Sequence, residues 1–98
     1  MTAYVIFIYL QVFDEQRILA YRQQAHPTVA AFGGRVVVRP GTQQVMEGPQ
    51  AQYMIVTQWD DMAAAQAWYN SPEYQRAREL REGAAQVQVI ITEGVAPD

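Results

Sequence analysis

Apolar residues occupy both parities of the first segment. Tyr4, Ile6, Ile8, Leu10 and Val12 hold one parity, and Ala3, Val5, Phe7 and Tyr9 the other. A run so rich in Val, Ile, Phe and Tyr predicts a β-strand over about Ala3–Val12. The spacing then changes to three and four. Ile18, Tyr21, Ala25, Val29 and Phe32 mark one face of a helix. Asp14 is placed to cap it, with Glu15 favourable in its first turn. Gly33-Gly34 ends it, because glycine tolerates the left-handed conformation of a helix end. Pro27 lies inside this stripe, lacks a backbone donor, and predicts a kink near His26.

Arg35–Arg39 (RVVVR) predicts a short second strand, and Pro40-Gly41 a turn. Gln43–Glu47 is read as a continuation of that strand, closed by Gly48-Pro49. Tyr53–Trp59 predicts a third strand. Asp60 or Asp61 caps a second helix, MAAAQAWY, which Asn70-Ser71-Pro72 breaks and restarts. Ser71 at the N-cap, Pro72 in the first position and Glu73 behind it make a well-formed start. That helix runs to about Glu82 and stops at Gly83. Gln86–Glu93 predicts the fourth strand, and a tail follows from Gly94. The order β-α-β-β-α-β is the split ferredoxin-like motif. The expected fold is therefore α+β: one domain over residues 1–98, with a four-stranded antiparallel sheet and both helices on one face.

Two helices cover only one face of such a sheet, so a lone chain should alternate apolar and polar along its strands. The first strand does not. The third is similar, with Tyr53, Ile55, Thr57 and Trp59 against Met54, Val56 and Gln58. Leaving such side chains in water forfeits about 1.5–3 kcal/mol each and leaves an adhesive patch. The sequence thus predicts a homodimer whose two sheets face each other. Composition agrees: half of the 98 residues are apolar and only 17% are charged, which suits half of a dimer's interior better than one chain's core.

Charge and composition remove several classes of function. A net charge of −3 argues against nucleic acid as a partner. Cysteine is absent, and with it go disulfides and thiolate chemistry. The apolar N-terminal run is too short to cross a membrane and lacks the basic flank and cleavage site of a signal peptide. A cytoplasmic protein with no membrane contact is expected.

His26 is the single histidine, and with no cysteine it cannot assemble a zinc site. It is either a general base facing a pocket or a structural side chain. Glu47, before a Gly-Pro turn, is the other candidate base. Trp68 to Tyr74 (WYNSPEY) is the densest aromatic cluster and reads as core and pocket wall together. Arg35 and Arg39 share a parity and suit a bidentate carboxylate contact, or pair with Glu47 or Glu93. Arg76, Arg78 and Arg81, with Glu73, Glu79 and Glu82, read as a solvated helix face.

FGGRVVVRPG, VMEG, AQAWYNSPEYQRARELREGAA and the closing TEGV resemble domain of unknown function family number 1330. The resemblance covers the whole chain and implies a dimeric α+β barrel. That superfamily includes cofactor-independent monooxygenases, muconolactone-type isomerases, haem-degrading enzymes and stress-responsive barrels, so the resemblance implies fold far more than chemistry. The third strand departs from the family, with Gln58-Trp59 where an acid and Phe are commoner.

The expected function is a homodimeric small-molecule-binding barrel. In its enzymatic form it would be a cofactor-independent, monooxygenase- or isomerase-like protein acting on an aromatic or polyketide-like substrate. His26 and Glu47 would be its bases, and Tyr21, Phe32, Arg39, Trp59, Trp68 and Tyr74 its substrate contacts. No cofactor and no metal are expected. The alternatives are a non-catalytic ligand-binding or stress-related dimer, and a structural domain whose gap between sheet and helices is filled by Trp68, Phe32 and Tyr21.

Overall fold

The computed structural model describes residues 1–95; the last part of the predicted tail, residues 96–98, lies outside them. β1 (Ala3–Val12) is followed by α1 (Glu15–Ala31), β2 (Arg35–Val38), β3 (Tyr53–Trp59), α2 (Met62–Tyr69), α3 (Pro72–Arg81) and β4 (Ala85–Glu93). The strands form one sheet in the order β2-β3-β1-β4, and every pairing is antiparallel. This is the expected ferredoxin-like α+β arrangement. No helix among the described residues is long and apolar enough to cross a membrane.

Local chemistry sets the element ends. Asp14 is extended at φ −142° and its carboxylate accepts from Arg17 N at 3.1 Å, closing the first turn of α1. Asp61, rather than Asp60, caps α2 by accepting from Ala64 N at 2.8 Å. Ser71 Oγ accepts from Tyr74 N and donates to Trp68 O, so one hydroxyl ends α2 and starts α3. Gly33 follows α1 at φ +88°, where a side chain would be strained. Gly34 is required for a different reason. A Cβ there would stand 2.6 Å from the Trp59 indole.

α1 runs from Glu15 to Ala31 with Pro27 inside it. One expectation changes. The chain from Arg39 to Gln52 carries no strand, so Gln43–Glu47 does not extend β2. Within Gln43–Glu47 the side chains lie exposed apart from Val45, and a strand there would have no apolar face to bury.

The parities divide as predicted. Ala3, Val5, Phe7 and Tyr9 are 0–3% exposed beneath the helices. Tyr4, Ile6, Ile8 and Leu10 point the other way and stay half-buried. Pairing sets Ile6 between Val56 and Ile90, and Ile8 beside Met54. These residues make a continuous apolar strip on the face that no helix covers.

Candidate functional site

The space between sheet and α1 is filled at one end and open at the other. At the filled end Trp59 stacks on Trp68 with ring centroids 5.0 Å apart, and Tyr74 packs on Trp68 at 4.3 Å. Each polar tip is satisfied. Trp59 Nε1 donates to Thr57 Oγ1 at 2.9 Å, and Trp68 Nε1 donates to Thr28 Oγ1 at 2.8 Å. Tyr21 and Tyr74 share a hydroxyl hydrogen bond of 2.9 Å.

At the open end lies a cavity of about 540 Å³. β1 supplies Phe7 and Tyr9, β3 supplies Ile55 and Thr57, and β2 supplies Val36. α1 roofs it with Tyr21, Arg22, Ala25, His26 and Val29, while Trp68 and the Arg39-Pro40 turn complete the wall. α1 can present all five of these groups because positions 21, 22, 25, 26 and 29 fall on one side of a helix with 3.6 residues per turn.

Of the residues singled out from sequence, Tyr21, Trp68, His26 and Arg39 meet at this cavity. His26 and Arg39 are exposed and stand where it opens to solvent. Phe32, Trp59 and Tyr74 are not among its lining residues; Trp59 and Tyr74 support it from within the core. Glu47 is exposed on the segment after β2 and is also not a lining residue. Arg35 donates from Nε and Nη2 to Gln58 Oε1 at 2.9 and 2.8 Å, so its observed partner is an amide and neither Glu47 nor Glu93.

Arg81 departs most from the sequence reading. It is 5% exposed, not solvated. Its guanidinium carbon lies 4.8 Å from the Tyr21 ring centroid and 5.8 Å from that of Phe7, which suits cation–π attraction. Burial works against this cation, but the phenols of Tyr74, Tyr21 and Tyr9 outweigh burial and leave its pKa above the ordinary value. The signal was present in the spacing: Tyr74, Ala77 and Arg81 follow the buried stripe of α3.

The tyrosines answer in kind. Burial raises the Tyr21 pKa well above its ordinary value, with Tyr74 and Tyr9 adding to it and Arg81 opposing. Burial raises that of Tyr74 too, against the pull of Arg81 and the Tyr21 hydrogen bond. Tyr53, beside the pocket, is raised by burial and held back by Arg22, whose guanidinium carbon sits 4.7 Å from its ring centroid.

Three buried polar atoms have no hydrogen-bond partner among the described residues: Tyr9 Oη, Arg22 Nε and Arg81 Nη1. Tyr9 and Arg22 line the cavity. Sequence reasoning singled out neither. Tyr9 reads as one more apolar strand residue, and Arg22 as one more helix-surface charge. No group of three or more His, Cys, Asp or Glu side chains gathers as a metal site among the described residues.

The fold recurs in solved structures. A protein of unknown function from Rhodopseudomonas palustris superposes with a TM-score of 0.78 at 17% identity, covering 98% of this chain and 84% of that one. A dimeric ferredoxin-like protein of unknown function from Jannaschia sp. CCS1 gives 0.77 at 16%, covering 96% and 100%. SnoaB, a cofactor-independent oxygenase from Streptomyces nogalater, gives 0.66 at 8%, covering 98% and 95%. No curated protein matches the chain. The family model of the domain of unknown function DUF1330 matches residues 2–95, and the chain belongs to that family.

Proposed function

We propose that this chain is one protomer of a homodimer that binds a flat, largely apolar molecule, aromatic or polyketide-like, in the cavity beneath α1. The cavity carries the reading. Its volume of about 540 Å³ lies in the range of small-molecule sites. Phe7, Val29, Val36, Ile55 and Trp68 offer it apolar surface, while Tyr9 Oη and Arg22 Nε have no hydrogen-bond partner among the described residues. Tyr21, Arg39 and Trp68 are its contacts, and Phe32, Trp59 and Tyr74 hold the wall behind them.

The dimer reading rests on the apolar strip of Tyr4, Ile6, Ile8, Leu10, Met54, Val56 and Ile90, and the Jannaschia relative is itself dimeric. A sedimentation mass of one chain at micromolar concentration would overturn it.

Binding is tested by titrating phenols and lactones against tryptophan fluorescence, since Trp68 forms part of the wall. Saturable quenching supports the site. Trp68→Phe removes the wall's indole and should abolish most of the signal. Quenching that is neither saturable nor dependent on Trp68 would sink the reading.

A second reading, cofactor-independent oxidation or isomerisation of the bound molecule, is favoured by the likeness to SnoaB. Such chemistry needs a base at the substrate's acidic proton and donors for the developing oxyanion. His26 at the cavity opening is the base that the geometry supports; Glu47 would have to approach from outside the lining. Oxygen uptake with phenols that stops in His26→Asn supports catalysis. Binding without uptake or turnover favours a ligand-binding dimer.

A further inference from the structure

The charge around the cavity has one sign. Arg22 and Arg39 line it, and no Asp or Glu does so among the described residues. The chain nevertheless carries ten acids against seven arginines, so composition alone would not clear the wall of carboxylates. Behind Tyr21 sits a further buried cation, Arg81, whose close neighbours are phenols and aromatic faces.

The unused donors point the same way. Tyr9 is 0% exposed and, among the described residues, its hydroxyl meets no partner; Arg22 Nε is buried and meets none there either. Both side chains pack on Tyr53. The Tyr9 ring centroid lies 4.6 Å from that of Tyr53, and the Arg22 guanidinium carbon 4.7 Å. Tyr53 is thus a shared neighbour of both side chains, each of which lines the cavity. A buried donor without a partner favours a ligand that supplies the acceptor. A cationic, low-dielectric wall favours an acceptor that is negative.

We propose that the ligand is an aromatic acid, held with its carboxylate toward Tyr9 Oη and Arg22 Nε and its ring system against Phe7, Val29 and Trp68. The inference rests on the binding reading above and adds the charge of the ligand and the residues that recognise it. Tyr9 donates to one carboxylate oxygen and Arg22 to the other. Arg39 leaves the opening attractive to anions.

The probes are 2-naphthoate and 2-naphthamide, which share one ring system and differ in charge. They are titrated calorimetrically against the whole protein at neutral pH and low salt. The expected result is that naphthoate binds at least about tenfold more tightly, a difference of about 1.4 kcal/mol, and that added salt weakens naphthoate alone. Arg22→Gln and Tyr9→Phe should each cut the acid-over-amide ratio below about threefold, or about 0.65 kcal/mol. Arg35→Gln, on the opposite sheet face, should keep the full ratio. If one cavity variant does not fold, the other decides.

Equal binding of the two probes would overturn the charge inference and leave the binding site standing. No binding of either at millimolar concentration would overturn both. A preference for the acid that survives both cavity substitutions would overturn the assignment to Tyr9 and Arg22.

Discussion

The two faces of the sheet are built from the same kinds of residue and do opposite things. On the covered face, Val5, Phe7 and Tyr9 are 0–3% exposed and pack with indoles and phenols whose positions are tied by hydrogen bonds, and with the Arg81 guanidinium. On the other, Tyr4, Ile6 and Ile8 lie on the face that no helix covers and stay half-buried. Apolar content alone does not separate them. What separates them is polar anchoring: on the covered face Thr28 and Thr57 hold the indoles of Trp68 and Trp59 in place, while the polar pair of the open face, Arg35 and Gln58, bonds to itself. One face is a finished core with a cavity left in it, and the other is a surface suited to a second copy.

That contrast can be broken most severely on the covered face. Trp68→Ala removes the ring on which Trp59 and Tyr74 stack and should cost about 3–5 kcal/mol, read by urea denaturation. A loss below about 1 kcal/mol would mean that the cluster is not a core. Gly34→Ala should cost about 1–3 kcal/mol, because the indole it would strike is stacked on Trp68 and bonded to Thr57. Wild-type stability there would mean that Trp59 is free to move.

On the open face, Ile6→Lys should cost the protomer about 1 kcal/mol, while light scattering falls from a two-chain to a one-chain mass. A two-chain mass in this variant would place the dimer contact elsewhere.

A gentler probe is pH. Tyr21 and Tyr74 hold their protons more tightly folded than unfolded. Their contribution is therefore complete below about pH 10, the unfolded value, and is lost as pH rises toward the folded one. Melting temperature should stay level up to that point and then fall, and the fall should be shallower in Tyr21→Phe. Smallest of all, Glu47→Gln should move stability by no more than about 0.5 kcal/mol, being exposed on a segment without regular structure.

The strand and helix order was legible because runs of β-branched and aromatic residues, the three-to-four spacing of the helices and the N-caps at Asp14, Asp61 and Ser71 agreed across the chain. The segment from Arg39 to Gln52 was not, since GTQQVMEG carries strand-forming residues without a face to bury. The cavity was half legible. Tyr21 and Trp68 belong to buried stripes, and a residue that walls a pocket looks the same in sequence as one that fills a core. Arg22 and Arg81 were hidden because Arg is ordinarily a surface residue. Only the α3 stripe of Tyr74, Ala77 and Arg81 hinted otherwise, and Tyr9 carries no hint that its hydroxyl would be left unpaired.

The short strand β2 gives the cavity a direction of give. It has four residues, is hydrogen-bonded only to β3, and slips register between Val36 and Val38. Its far end runs into the Arg39-Pro40 turn. The opposite flank is stiff: α1 is bound to the α3 end through Arg17 and the Glu82 carbonyl, and to α3 through Tyr21 and Tyr74. Parting a few edge hydrogen bonds would therefore widen the cavity, while the helix roof and its donors keep their place. On the proposed binding reading, a guest's width is negotiable and the position of its recognised group is not.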